Sequence, residues 1–343
     1  MKIQNSKKKF YLLVILFPII SWIFLTVLFE NSFKKFDEMA LGKNNIAVKG
    51  KILDQNILCD TAENIKNCIN FLKKNFKKKI IWIGNSQLYG VNQGSINSKT
   101  APHRVSEYFF DKEVGLITFA APNISFQEYL EVVKYLLENI EVDIVILPLV
   151  FDDTREDGVR ENLIKKNKQN IKAKNLQEFF EDSIIEFLNT SINWTSIRSQ
   201  AQGTIYEFLY KLRNNLFGIQ ATSIRKSIKP IYDRNLSALD KTIDELVNKK
   251  IEIVMYVAPI RHDINLPYNA NEYSSYKNNL KKKAQETLSY FYNLEKIVPG
   301  KFWGEKGGST LGVKNEVDFM HFQEEGHKIL AAEIIKILEN IIK

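Results

Sequence analysis

The chain has 343 residues, 45% of them hydrophobic and 26% charged, with only 15 Gly and 8 Pro. This balance excludes wholesale disorder and collagen-like or fibrous architectures, and the length allows one large domain or two smaller ones. Half of the net charge of +8 sits in Lys2, Lys7, Lys8 and Lys9, so the remainder is too nearly balanced to point to nucleic acid.

Those lysines precede Phe10–Phe29, 20 residues without a charge. As a helix this run spans roughly 30 Å of hydrocarbon, and Pro18 is tolerable within it. A cleaved signal peptide is the rival reading, but the run is longer than a usual signal core and no small-residue cleavage pattern follows it. The expectation is a cytoplasmic tail over residues 1–9 and an uncleaved transmembrane anchor over 10–29. Four lysines stand before the anchor. After it Lys34 and Lys35 are diluted by Glu30, Asp37 and Glu38. That asymmetry puts the N-terminus inside and the rest of the chain in the periplasm or outside the cell.

Residues 30–77 read as a stalk with a short helix near Ala62–Phe76. They hold the only two cysteines, Cys59 and Cys68. In an oxidising compartment these could close a small loop; on one helix they would be two thiols about 13 Å apart. With four His (His103, His262, His321 and His327) and no zinc-ligand spacing, no metal or other cofactor is expected.

A strand and helix alternation follows. Short apolar runs at 79–83, 116–120, 142–150 and 251–259 predict buried strands, and Lys296–Val298 a short fifth. Helical stripes cover 125–139, 236–249 and 326–342. The pattern predicts an α/β fold, a parallel sheet with helices on both faces, over residues 78–343. Residues 154–235 interrupt it as a helical insertion, readable as a lid or docking surface or as a packing elaboration.

In such sheets sites form at the carboxyl ends of the strands. The first strand ends in Gly84-Asn85-Ser86-Gln87, where a sharp turn presents Ser86. Just before the last helix comes Asp318-Phe319-Met320-His321. Three-residue spacing can set the Asp beside the His on one loop or helical turn. The Asp would fix the imidazole and the His would take the Ser proton, as acyl transfer requires. Gly304–Gly312 is glycine-rich but lacks the phosphate-loop order, and reads as a flexible loop near the site.

A serine after the first strand together with Asp-x-x-His before the last helix resembles the SGNH (GDSL-like) hydrolase family, over about residues 78–343 without the insertion. The resemblance implies a flavodoxin-like three-layer fold. Ser86 would be the nucleophile, His321 the general base and Asp318 its orienting partner. His327 would be a packing residue at the helix start. Asn85 stands where the family has Asp, and Asn123 is the nearest match to the oxyanion glycine of the second block. The third block, Leu149-Val150-Phe151-Asp152-Asp153, lacks the family's Asn donor; Asp152 or Asp153 would meet a polar substrate or cap a following helix. Arg261 and His262, after the fourth strand, read as ligands for an anionic or sugar substrate or as solvated loop residues.

With the anchor, the resemblance implies an envelope enzyme, an esterase or O-acyltransferase acting on a polysaccharide, some relatives of which work beside a membrane-bound O-acyltransferase. A catalytically silent relative that binds a glycan or such a membrane partner is the alternative.

Overall fold

The computed structural model describes residues 44–160, apart from Asp54 and Thr61, and residues 207–342. The chain divides into two compact units, and the one described here comprises Ala40–Gln169 and Arg213–Lys343. The expected tail and anchor, and the middle of the expected insertion (161–206), lie outside the described residues. Among the described residues no helix is long and apolar enough to cross a membrane.

The centre is a five-stranded sheet of β4 (Lys78–Gly84), β6 (Val114–Ala120), β7 (Ile144–Leu149), β8 (Glu252–Val257) and β9 (Tyr290–Asn293). Their spatial order is β6-β4-β7-β8-β9, with every pairing parallel. Counted along the chain this is 2-1-3-4-5, the flavodoxin-like order, whose ligand crevice lies where the first strand meets the third.

The strands alternate between two buried faces. Ile81 and Ile83 of β4 face one apolar layer with Val145, Leu147, Ile253 and Met255. Helices α1 (Ala62–Asn75), α3 (Phe126–Asn139), α4 (Lys229–Asn248) and α5 (Ala270–Glu286) contribute Leu72, Tyr129, Leu136, Ile243 and Tyr276 to that layer. Ile80 and Trp82 face the other, with Val105 and Phe109 of α2 (Ala101–Phe110) and Leu330, Ile334 and Ile337 of α6 (Glu324–Ile341). Two covered faces explain why these strands read as continuous apolar runs.

Three expectations are corrected. The fifth strand is Tyr290–Asn293, not Lys296–Val298. It is an edge strand built of half-exposed aromatics, while Val298 is buried in the turn beyond it, where its carbonyl accepts from Trp303 Nε1 at 3.1 Å. Helix α4 starts at Lys229, seven residues before the expected 236, with Pro230 in its first turn. The helix expected near Ala62–Phe76 is α1, and of the expected stalk residues 30–43 lie outside the described residues while 45–60 are no stalk. β1 (Asn45–Ala47) pairs antiparallel with β5 (Gly90–Asn92), and β2 (Lys51–Ile52) with β3 (Gln55–Asn56). Leu58 then bridges Thr118 on the free edge of β6, with Cys59 N donating to Thr118 O at 2.7 Å and Thr118 N to Ile57 O at 2.8 Å. A Cys59–Cys68 disulfide ties this edge segment to α1, so the loop-closing reading of the two cysteines holds.

Candidate active site

Ser86 opens a 3-10 turn, Ser86–Leu88, directly after β4. Asn85 caps the turn, its Oδ1 accepting from Gln87 N at 3.0 Å. Gly84 is required at the bend, because a Cβ there would meet Leu88 Cδ1 at 2.6 Å and Pro148 Cγ at 2.7 Å. The Ser86 N–H sits in the first position of the turn, where no helical acceptor exists for it.

The partner side chains arrive on a hairpin of β10 (Trp303–Gly307) and β11 (Asn315–Phe322). Trp303 pairs with Phe322 but Glu305 pairs with Val317. Gly304 alone therefore stands opposite Asp318, Phe319, Met320 and His321. The motif expected on a loop or helical turn is a bulge in a strand, the irregularity that re-aims side chains out of a ladder. The expected flexible loop at Gly304 is in its first part strand β10. Gly304 has no room for a side chain, since Asn92 Oδ1 occupies the space.

The bulge delivers His321 to Ser86. Ser86 Oγ lies 2.9 Å from His321 Nε2, and His321 Nδ1 lies 3.1 Å from Asp318 Oδ2. With the ring proton on Nδ1, His321 donates to the carboxylate and accepts from the serine. Asp318 is 1% exposed. Its Oδ1 accepts from the backbone N–H of Met320 at 2.9 Å and of His321 at 3.0 Å. Burial pushes this carboxyl up, but the charge and hydrogen bonds of His321 and the charge of Lys306 outweigh burial and hold it well below the usual carboxylate range.

Two residues missing from the sequence reading complete this shell. Asn45 Nδ2 donates to Asp318 Oδ2 at 2.9 Å and Asn92 Nδ2 at 3.4 Å. They are register partners on β1 and β5, so one short ribbon presents both amides to the same oxygen. A third unforeseen residue is Gln87, 1% exposed. Its Nε2 donates to Pro259 O at 2.9 Å and Met320 O at 2.8 Å, joining the serine turn to the end of β8 and to the bulge.

The other candidates separate by what already holds them. Asn85 is not offered to a ligand, because its Nδ2 donates to Asp153 Oδ1 at 3.0 Å while its Oδ1 caps the turn. Asp152 is likewise engaged, by Arg225 Nη1, by Arg155 Nη1 at 3.4 Å and by Tyr268 Oη at 3.1 Å. Arg261 is tied to Asp263 Oδ1 at 3.0 Å and to Gly304 O at 2.9 Å, and braces the hairpin. His262 is exposed. Asn123 is exposed on the turn after β6, with φ at 48°. That turn is pinned by Arg160, which donates to Pro122 O at 2.8 Å and through Nε and Nη2 to both oxygens of buried Glu128. His327 is fully buried under the hairpin. Its Nδ1 accepts from Ala101 N at 3.2 Å, its Nε2 donates to Gly90 O at 3.1 Å, and Phe322 packs across the ring at 4.5 Å between centroids. Burial pulls it down to about 3, so it stands neutral as a packing residue.

No family model matches this sequence, and no curated protein does. Solved structures match it in outline. A putative acylhydrolase from Bacteroides fragilis NCTC 9343 aligns at a TM-score of 0.41 and 10% identity, over 82% of this chain and 98% of that one. An acetylxylan esterase from Geobacillus stearothermophilus aligns at 0.40 and 11%, over 76% and 94%. A GDSL-like lipase from Bacteroides thetaiotaomicron VPI-5482 aligns at 0.40 and 14%, over 81% and 98%. Likeness at this level carries no argument about chemistry, and the functional case stands on the site's own geometry.

Proposed function

We propose that this chain is a serine acyl-ester enzyme of the SGNH (GDSL-like) kind, an esterase or O-acyltransferase acting on an envelope glycan. The observation that carries the reading is the unbroken line from Ser86 Oγ to His321 Nε2 at 2.9 Å and from His321 Nδ1 to Asp318 Oδ2 at 3.1 Å. Ser86 follows β4, one of the two strands between which this strand order commonly sets its ligand crevice, and that supports the reading.

In this reading Ser86 Oγ attacks the acyl carbonyl while its proton passes to His321 Nε2. Asp318 stays ionised and stabilises the imidazolium. The imidazolium returns the proton to the departing alcohol, leaving the acyl group on Ser86. Water or a sugar hydroxyl then attacks, and His321 takes its proton in turn. The oxyanion would meet the N–H of Ser86 and that of Asn123. At the end of β6 the Ala121 N–H is used on Gly84 O at 3.3 Å, and Pro122 has none. Asn123 therefore supplies the first N–H available there, and it has no acceptor among the described residues. A narrow cleft between the ends of β7 and β8 is walled by Val150, Ala258, Ile260, Tyr268 and Met320, the last from the bulge that carries His321.

The setting is part of the proposal. Phe10–Phe29 would anchor the chain with its N-terminus inside. The disulfide suits a domain held in an oxidising compartment. A membrane-bound O-acyltransferase is the proposed partner and a polysaccharide the acceptor. A second reading, a silent relative that binds a glycan or that partner, draws on Asp152. It stands where the family offers an oxyanion Asn, and it is committed to Arg155, Arg225 and Tyr268.

Turnover of p-nitrophenyl acetate by the full-length chain, with sugar acceptors added to detect transfer, separates the two. The enzymatic reading expects turnover that disappears in Ser86→Ala. A Ser86→Ala protein with parental activity on every ester the parent accepts would refute it.

A further inference from the structure

Asp153 lies in the 3-10 turn Phe151–Arg155 that follows β7. It is 2% exposed. Its Oδ1 accepts from Asn85 Nδ2 at 3.0 Å. Its Oδ2 is 3.3 Å from the hydroxyl of Tyr129, which is itself 3.2 Å from Pro148 O. Asn85 in turn caps the turn that begins at Ser86. A chain of contacts therefore runs from Pro148 through Tyr129, Asp153 and Asn85 to the backbone beneath the serine.

The surroundings decide how its hydrogens are placed. The titratable groups facing Asp153 are Asp152 and Glu156 on its own segment, Tyr129 from α3 and Tyr276 from α5. The nearby guanidinium groups are bonded elsewhere, those of Arg155 and Arg225 to Asp152 and that of Arg160 to Glu128. An ionised Asp153 would be a buried charge without a cation partner, which is costly. A proton on Oδ2 resolves this. Asn85 donates to Oδ1, Oδ2–H donates to Tyr129 Oη, and Tyr129 donates to Pro148 O.

We propose that Asp153 is a positioning residue that works as a neutral acid, fixing through Asn85 the turn that presents Ser86 to His321. This role rests on the enzymatic reading above. The direction of its titration agrees. Burial pushes the Asp153 carboxyl well above its usual range and the charges of Asp152 and Glu156 add to that, against the hydrogen bonds that Asn85 and Tyr129 would donate to its ionised form.

The test uses the full-length chain with Asp153→Asn and Asp153→Ala, read by ester turnover and by melting temperature from pH 5 to pH 9. The amide introduced by Asp153→Asn would keep the geometry of a neutral acid, its Oδ1 accepting from Asn85 and its Nδ2 donating to Tyr129. Asp153→Asn is therefore expected to keep kcat within about threefold of the parent. Asp153→Ala is expected to lower kcat about 10- to 100-fold with KM little changed, as a misplaced nucleophile does. The stability series reads the protonation state. An unfolded Asp ionises near 3.9. A folded value above that gives stability that is complete below pH 4 and is lost as pH rises toward the folded value. Asp153→Asn lacks that loss, so its melting temperature should gain on the parent's as pH rises. The proposal is overturned if folded Asp153→Asn is as slow as Asp153→Ala, or if it loses ground to the parent as pH rises. A parent without turnover, combined with the expected stability series, would overturn the enzymatic reading and with it the positioning role, while the neutral acid would stand.

Discussion

Two buried carboxyls flank the serine turn and meet opposite fates. Asp318, on the bulge of β11, is surrounded by donors: two backbone N–H groups, the amides of Asn45 and Asn92, and the His321 ring, with Lys306 adding charge. Asp153, after β7, has one amide, one phenol and two neighbouring acids. Burial raises both, yet only Asp318 gains enough compensation to stay ionised. Burial alone therefore does not assign a role; the donors around each oxygen do. Divergent environments for two nearby acids are how one fold separates an ionised partner for the base from a neutral structural acid.

Ser86→Ala or His321→Ala should abolish ester turnover, a loss of about 10⁴-fold or more. Asp318→Asn removes the charge but keeps the shape. It should cost about 10³- to 10⁴-fold in kcat, because an amide can hold His321 in the wrong tautomer. That contrasts with Asp153→Asn, where the same change is expected to be nearly silent. Equal losses at the two positions would erase the distinction drawn here. Asn45→Ala and Asn92→Ala each remove a hydrogen bond to the buried Asp318 carboxylate. Each should lower stability by about 1.5–3 kcal/mol in denaturant titrations. Their effect on kcat should be several-fold only, since the backbone donors on Oδ1 remain.

A last expected effect, on stability and not on turnover, comes through His327, a buried base under the hairpin. Its folded value of about 3 lies below the unfolded value near 6.5. The stability it contributes is complete above pH 6.5 and is lost as pH falls toward 3. His327→Gln should flatten the acid limb of the melting-temperature profile; an unchanged limb would mean that His327 is not held neutral.

How much of this could be read from the chain depends on sequence distance. β4, β6, β7 and β8 were legible because burial on both faces makes them uninterrupted apolar runs, and Ser86 was legible because Gly-x-Ser closes the first of them. The Asp318/His321 pair was legible as a spacing, but its setting in a bulge was not. The bulge is a mismatch of register between β10 and β11 that neither strand encodes alone. β9 escaped because its half-exposed aromatics form no apolar run. Asn45 and Asn92 escaped because they lie on three-residue strands, and Asn45 reaches an acid 273 positions away. Asp152 and Arg261 were legible as charged residues on the rim but not as residues already paired. Charge signals capacity for a ligand, and only packing tells whether a neighbour has taken it.

The most direct measurement is reaction of the full-length chain with a fluorophosphonate probe, the adduct being mapped by mass spectrometry. A serine activated by His321 predicts a single adduct on Ser86, absent in Ser86→Ala and His321→Ala and strongly slowed in Asp318→Asn. A folded parent with no adduct on Ser86, or equal labelling of the parent and His321→Ala, would contradict the account.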